Sequence, residues 1–221
     1  MIDSDRVNKN EISKVNGNLI QIRKGYNLMA DKQNVFQRLV GKGLYPSQMA
    51  WMLLLPFRNL YLSPAKLASR LGLKDDSIVL ELGCGPGYFS PFIAKKIPKG
   101  KLYLADIQPE MLEKARKRMN QKGIKNVELS LTQKDSLPFP DNHFDVIYLV
   151  TVLGEISEPN RYAKEMFRVL KPNGIVSISE QAGDPDSLTL ANVEEILLPT
   201  GLRLKQVFGK GRTFTANFIK K

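Results

Sequence analysis

Short apolar runs alternate with amphipathic helical patterns along the chain after residue 62. Apolar runs bounded by turn residues are typical of buried parallel strands. The predicted strands cover residues 78–82, 101–106, 127–131, 145–150, 175–180, 202–208 and 213–219. The last two strands are separated by Gly209-Lys210-Gly211, so they are predicted to pair as an antiparallel hairpin.

The segments between these strands have helical periodicity. Ser63 and Pro64 begin the first helix, since proline is favoured at the first helical position, and Gly72 ends it. Four further helices are predicted over residues 88–96, 109–121, 159–170 and 187–198. Strands that alternate with helices predict an α/β fold with a seven-stranded, mostly parallel, doubly wound Rossmann-like sheet whose last strand is antiparallel.

The first 62 residues have a different pattern. Residues 1–30 are polar and rich in Asn and Lys, which predicts a disordered tail or a loose helix. Residues 31–62 carry apolar side chains at helical intervals and predict an N-terminal helical lid on the substrate side. Within it, residues 45–61 contain one charge, Arg58, so this stretch either packs over the sheet or forms an apolar, membrane-facing surface. Residues 63–221 form the predicted main domain.

Composition limits the class of protein. The 221 residues suffice for one domain with a full core. No apolar run approaches the roughly 20 residues that cross a bilayer, and the polar N-terminus has no secretory pattern, so a cytoplasmic protein is expected. Cys84 is the single cysteine, which excludes an internal disulfide and a cysteine-built metal site, and no metal is expected.

The net charge of +11 admits an anionic substrate, an anionic membrane surface or nucleic acid as a partner. Four basic residues, Lys114, Arg116, Lys117 and Arg118, fall on adjacent turns of one predicted helix. Such runs usually form a solvated helix face, which is the favoured interpretation here.

A glycine loop follows the first strand of the main domain. Gly83, Gly85 and Gly87 allow the backbone to turn sharply and approach a ligand, at the sheet edge where α/β proteins bind ligands. Their spacing is G-x-G-x-G, whereas dinucleotide-binding proteins have G-x-G-x-x-G. Pro86 also removes one N–H from the loop, which makes a phosphate site less favourable.

Two carboxylates follow the next two strands. Asp106 ends the second strand and can accept hydrogen bonds from ribose hydroxyls, the alternative being a helix N-cap. Asp135 follows the third strand and, with a backbone N–H there, can contact an adenine edge, the alternative being a turn residue. His143, the only histidine, lies in a turn before a buried strand and is expected to be structural.

Four segments in order resemble the motifs of class I S-adenosylmethionine (SAM)-dependent methyltransferases, nearest to the ubiquinone/menaquinone-biosynthesis branch. They read ELGCGPGYFS, YLADIQPEML, DSLPFPDNHFDVIY and RVLKPNG, and the resemblance covers residues 63–221. It implies SAM as the cofactor, with its pocket at the carboxyl edge of the sheet.

The resemblance also implies roles for individual residues. Glu81 would lie near the methionine end of SAM, and Val150 with Thr151 would border the methionine and the methyl group. Asp106 would bind the ribose, Ile107 would pack on adenine, and Asp135 with Ser136 would contact its edge. The loop that would wrap the aminoacyl and ribose parts contains Gly83, Cys84, Gly85 and Gly87.

Methyl transfer requires a general base only if the nucleophile loses a proton. Glu155, just after the fourth strand, is the candidate base, and the alternative is a carboxylate at a helix start or in a salt bridge. The predicted function is methyl transfer to a small-molecule or lipid-like acceptor. An RNA methyltransferase, a nicotinamide-dependent oxidoreductase and a non-catalytic SAM-binding regulator are the alternatives.

Overall fold

The computed structural model describes residues 12–15, 18–21, 54, 62–133 and 136–221. The chain divides into two units, Met1–Leu39 and Val40–Lys221. In the first unit, β1 (Ile12–Val15) and β2 (Asn18–Gln21) pair antiparallel. Apart from Leu54 and Leu62, the predicted helical lid lies outside the described residues, and the division at residues 30 and 62 stays a prediction.

The second unit contains a seven-stranded sheet. Its strands are β3 (Ile78–Leu82), β4 (Lys101–Asp106), β5 (Val127–Leu131), β6 (Phe144–Val150), β7 (Leu170–Glu180), β8 (Leu202–Lys210) and β9 (Thr213–Lys220). Their order is β5-β4-β3-β6-β7-β9-β8, and β9 runs antiparallel to the other six strands. This arrangement confirms the predicted fold class of the sheet.

Helices cover both faces of the sheet. They are α1 (Pro64–Arg70), α2 (Ser90–Lys96), α3 (Pro109–Gln121), α4 (Pro159–Val169) and α5 (Leu190–Leu197). Helices α1, α2 and α3 contribute to one buried cluster that includes Val79, whereas α4 and α5 contribute to another that includes Leu80. Strand β3 therefore buries successive side chains on opposite faces, which explains its continuous apolar run. Within the described part of the chain, no helix is long and apolar enough to cross a membrane.

Capping fixes the helix boundaries. The Ser63 side chain accepts a hydrogen bond from the Lys66 N–H at 3.2 Å, and Pro64 occupies the first turn of α1, as predicted. Helix α5 begins three residues later than its predicted start at residue 187, because Thr189 and Asn192 form a capping box. These caps do not alter the order of the sheet.

The connectivity creates a crevice between β3 and β6. From β3 the chain adds β4 and β5 on one side of the sheet, then returns to add β6 on the other side. Helices on opposite faces therefore diverge at the carboxyl ends of β3 and β6, and ligands of open α/β sheets bind at such a point. The loops that follow β3, β4, β6 and β7 meet at this edge.

Candidate active site

The glycine loop after β3 is tied to the neighbouring strand. The backbone N–H groups of Gly83 and Cys84 both donate to the Ala105 carbonyl of β4, at 2.8 and 3.0 Å. The φ angles of Gly83, Gly85 and Gly87 are +71°, +51° and +77°, in the left-handed region that glycine adopts at little cost. The loop therefore turns at the carboxyl edge in a conformation that its sequence predisposes.

Asp106 links this loop to the end of β4. Its Oδ2 accepts a hydrogen bond from the Gly85 N–H and its Oδ1 accepts one from the Gln108 N–H, both at 2.9 Å. The residue is 7% exposed, and this burial raises the pKa of its carboxyl, while the backbone N–H donors act in the opposite direction. The carboxylate has about four acceptor sites in all, so it keeps capacity for a ligand hydroxyl beside the backbone donors.

The helix-capping interpretation of Asp106 does not hold. The N-cap residue of α3 is Gln108, and its side chain makes no capping hydrogen bond. Asp106 instead fixes the turn that leads from β4 into the helix. Ile107, next to it, is half-buried at the same edge.

Glu81 is buried at the end of β3, with 4% of its surface exposed. The Ser90 hydroxyl of α2 donates to its Oε2 at 2.5 Å. Glu81 also lies opposite Tyr148 of β6 in the strand register. Burial first, and then the Glu81 charge, raise the pKa of Tyr148. Glu81 therefore holds the start of α2 against β3, directly before the glycine loop.

The remaining predicted cofactor residues have different environments. Cys84 is buried, and burial followed by the charges of Asp106 and Glu81 raises the pKa of its thiol, so it stays protonated and is a poor nucleophile. Asp135 lies outside the described residues, and Ser136 is half-buried in the segment that follows it. The assignments of all these residues to the cofactor stay predictions.

The end of β6 forms the other side of the crevice. Val150 is half-buried, and Thr151 has a φ of +53°, a conformation that is uncommon for a branched residue. The Thr151 N–H donates to the Ser179 carbonyl of β7 at 2.8 Å, which holds this turn against the next strand. Glu155 is half-buried in the short 3-10 helix Leu153–Glu155, and its proposed role as a base stays a prediction.

A cavity of about 210 Å³ opens beside Val150 and Thr151. The described part of its wall is formed by residues in and just before α1, in the loop after β3, at the carboxyl ends of β6, β7 and β8, and at the start of β9. They are Leu62, Lys66, Arg70, Phe89, Val150, Thr151, Ser179, Glu180, Gln181, Gly209, Thr213, Phe214 and Thr215. Glu155 is not among them.

Sequence reasoning missed Arg70 and Glu180 as site residues. Glu180 ends a predicted strand just as Asp106 does, and a carboxylate at the carboxyl end of a buried strand was the signal that could have found it. His143 precedes β6 at the opposite edge of the sheet. Its ring packs against Tyr103 and Phe144, with centroids 5.4 and 4.8 Å away. This position is consistent with the structural role that its turn predicts.

Gly83→Ala is expected to destabilise the loop strongly. An added Cβ would lie 2.6 Å from both Val152 methyl carbons, in addition to the strain of a φ of +71°. Gly123→Ala is the matched control, because its φ is +66° and nothing lies within 4 Å of the added carbon. Strain alone costs about 1 kcal/mol.

Denaturant unfolding measures the change in the free energy of unfolding for both substitutions. Gly83→Ala should cost about 2–3 kcal/mol and exceed Gly123→Ala, since overpacking adds to strain. Combining Gly83→Ala with Val152→Ala should recover part of the excess. Equal costs for the two alanine variants would show that Val152 does not restrict the loop.

Comparisons with known proteins support this architecture. Residues 73–200 match the model of a family described as "Methyltransferase domain". The crystal structure of a SAM-dependent methyltransferase from Aquifex aeolicus aligns with this chain at a TM-score of 0.75 and 29% sequence identity. The alignment covers 80% of this chain and 100% of the Aquifex chain.

Several curated relatives carry the name "Ubiquinone/menaquinone biosynthesis C-methyltransferase UbiE", and two of them illustrate the similarity. The protein from Hydrogenovibrio crunogenus is 33% identical over 111 residues, which are 49% of this chain and 44% of the relative. The protein from Ectopseudomonas mendocina is 35% identical over 118 residues, or 52% and 46% of the two chains. The chain therefore spans less than half the length of these relatives. The resemblance inferred from the four motifs is confirmed.

Proposed function

Because the chain belongs to the methyltransferase domain family, we propose that it transfers a methyl group from S-adenosylmethionine to a small or lipid-like acceptor. The observation that carries this proposal is the joint placement of the Gly83–Gly87 loop, the Asp106 carboxylate and the cavity at one edge of the sheet. The similar Aquifex aeolicus protein is a SAM-dependent methyltransferase, which agrees with SAM as the predicted cofactor of this chain.

The donor is proposed to lie across the carboxyl ends of β3 and β4. Asp106 would accept hydrogen bonds from the two ribose hydroxyls. The Gly85 and Gln108 N–H groups hold its carboxylate in a fixed orientation at the carboxyl edge of the sheet, and the carboxylate has further acceptor capacity. Ile107 would pack on the adenine, with Asp135 and Ser136 at its edge. Such an arrangement points the methionine part of SAM toward Glu81 and the end of β6.

Methyl transfer from SAM requires few catalytic groups from the protein. The acceptor atom forms a bond to the methyl carbon as the carbon–sulfur bond breaks, and the sulfonium becomes a neutral thioether. The protein mainly aligns the two reactants and excludes water. Val150 and Thr151 would border the methyl group, since they lie where the crevice meets the cavity.

The cavity favours a compact, partly apolar acceptor group. Sites for drug-sized ligands usually measure about 300–1,000 Å³, so a space of about 210 Å³ suits a ring-sized group. Apolar walls come from Leu62, Phe89, Val150 and Phe214, and hydroxyls from Ser179 and the neighbouring threonines. Together with the names of the curated relatives, this lining supports a hydroxylated aromatic acceptor of the quinol type.

The positive charge does not require a nucleic-acid substrate. On α3, both Arg116 and Lys117 form ion pairs with Glu113, at 2.8 and 3.6 Å, which fits the predicted solvated face. Membrane contact, cytoplasmic location and the exclusion of RNA stay predictions.

Transfer of a labelled methyl group tests the proposal. The full chain would be incubated anaerobically with methyl-labelled SAM and 1,4-dihydroxynaphthalene, with 1,4-dimethoxynaphthalene as the matched acceptor without hydroxyls. Label in the dihydroxy compound that depends on Asp106 is the expected result, and mass spectrometry distinguishes carbon from oxygen methylation. Label in neither compound but in added RNA would favour the nucleic-acid alternative.

A further inference from the structure

Glu180 is a buried carboxylate in the wall of the cavity. It ends β7, is 3% exposed, and its Oε1 has no hydrogen-bond partner in the part of the chain that the structure describes. A buried polar atom without a partner is costly, and buried carboxylates are therefore usually paired. The unmet hydrogen-bonding capacity at this position indicates a ligand group that completes it.

The electrostatic surroundings of Glu180 disfavour its charge. Burial, followed by the negative charge of Asp184 on the next turn, raises the pKa of Glu180 to about 8, although the Leu188 N–H acts in the opposite direction. Among the described residues of the cavity wall, Lys66 and Arg70 of α1 are the cationic groups, while β6 and β9 contribute no titratable group. Glu180 forms no ion pair with either cation among the described residues.

Arg70 is held in place at the same cavity. Its Nη1 donates to the Thr215 hydroxyl at 2.7 Å, and its guanidinium carbon lies 5.2 Å from the centre of the Phe208 ring. The Thr215 hydroxyl in turn lies 2.9 Å from that of Ser179. A guanidinium carries five N–H donors, and among the described residues Arg70 uses one of them in a side-chain hydrogen bond, which leaves donors for a ligand.

We propose that Glu180, in place of Glu155, is the catalytic base that takes the proton of an acceptor hydroxyl in this cavity, and that Arg70 stabilises the resulting anion. This inference rests on the proposed methyl transfer. It limits the acceptors to hydroxylated aromatic or enolic compounds, whose oxygen or adjacent carbon becomes nucleophilic on deprotonation.

The step balances within the reaction already proposed. The acceptor O–H bond breaks, its proton moves to Glu180, and its electron pair stays with the acceptor. The anion attacks the methyl carbon, and the electrons of the carbon–sulfur bond remain on sulfur. If carbon is the nucleophile, the ring proton at that carbon then leaves to water and aromaticity is restored.

Binding of two matched probes tests the inference. Calorimetry would compare 1-naphthol with 1-methoxynaphthalene, which lacks the hydroxyl proton, on the full chain saturated with S-adenosylhomocysteine. At about pH 8.5, where Glu180 is mostly ionised, naphthol should bind about tenfold more tightly than the ether, the effect of one charge-assisted hydrogen bond. This preference should rise with pH up to about pH 8.5 as Glu180 ionises, a range in which the naphthol hydroxyl keeps its proton.

Two variants identify the residue responsible. Glu180→Gln should reduce the preference to about twofold or less and abolish its rise with pH. Glu195→Gln, at an exposed position of α5, should leave both unchanged. An unchanged preference in Glu180→Gln, or no naphthol binding to the wild-type complex up to its solubility limit, would overturn the inference.

The same titrations separate this inference from the proposed function. S-adenosylhomocysteine binding is measured first for each protein. If the wild-type chain does not bind it, the proposed methyl transfer fails. If it binds and the probes are not distinguished, only the role of Glu180 fails.

Discussion

Asp106→Ala is expected to weaken the binding of S-adenosylhomocysteine by about 100-fold or more. Hydrogen bonds to a charged group contribute about 1.5–3 kcal/mol each, and the substitution removes those to both ribose hydroxyls. It also frees the N–H groups of Gly85 and Gln108, so the loop loses its link to β4. Isothermal titration calorimetry measures the loss.

Two variants separate ligand contacts from folding effects. Asp106→Asn retains one acceptor oxygen and should lie between the wild type and Asp106→Ala. Asp76→Ala, at an exposed position before β3, should bind like the wild type. Wild-type affinity in a folded Asp106→Ala protein would show that the ribose does not lie on this carboxylate.

Glu180→Gln is expected to make the fold more stable at alkaline pH. The pKa of Glu180 rises from its ordinary 4.5 to about 8 in the folded protein. Between these values the unfolded chain releases the proton and the folded chain keeps it, so the free energy of unfolding falls as pH rises. The decrease is about 1.4 kcal/mol per pH unit and on the order of 4 kcal/mol above pH 8. An uncharged glutamine avoids this cost.

Urea unfolding at about pH 5 and pH 9 measures the difference. The variant should gain several kcal/mol over the wild type at the higher pH and little at the lower one. Glu195→Gln should follow the wild type at both. A constant difference between Glu180→Gln and the wild type across this range would mean that Glu180 titrates as it does in the unfolded chain.

Much of the sheet could be predicted because its central strands, β3, β4 and β6, are buried on both faces. Runs such as residues 145–150 are apolar throughout because neither face of the strand is exposed to solvent. The alternation of strands with helices then predicts that these strands are parallel. Strand β7 was less predictable. It includes residues 170–174, which have the composition of a turn, because Leu170 already pairs with Phe144 before the register becomes regular.

The residues proposed to bind SAM could be predicted from the sequence because they directly follow strands. Gly83, Asp106 and Val150 lie at strand ends, and parallel strands bring their carboxyl ends to one edge. The residues of the proposed acceptor cavity could not be predicted, since the cavity depends on contacts between distant parts of the chain. Arg70 and Thr215 are separated by 145 positions, and no local pattern predicts their hydrogen bond.

The proposed placement of donor and acceptor is tested most directly by a crystal structure of the full chain with S-adenosylhomocysteine. Both ribose hydroxyls should lie about 2.5–2.8 Å from the Asp106 oxygens, as expected for hydrogen bonds from hydroxyls to a carboxylate. The thioether sulfur should lie beside Val150 and face the cavity that contains Glu180. A ligand whose ribose lies away from Asp106, or whose sulfur points away from this cavity, would contradict the proposed site.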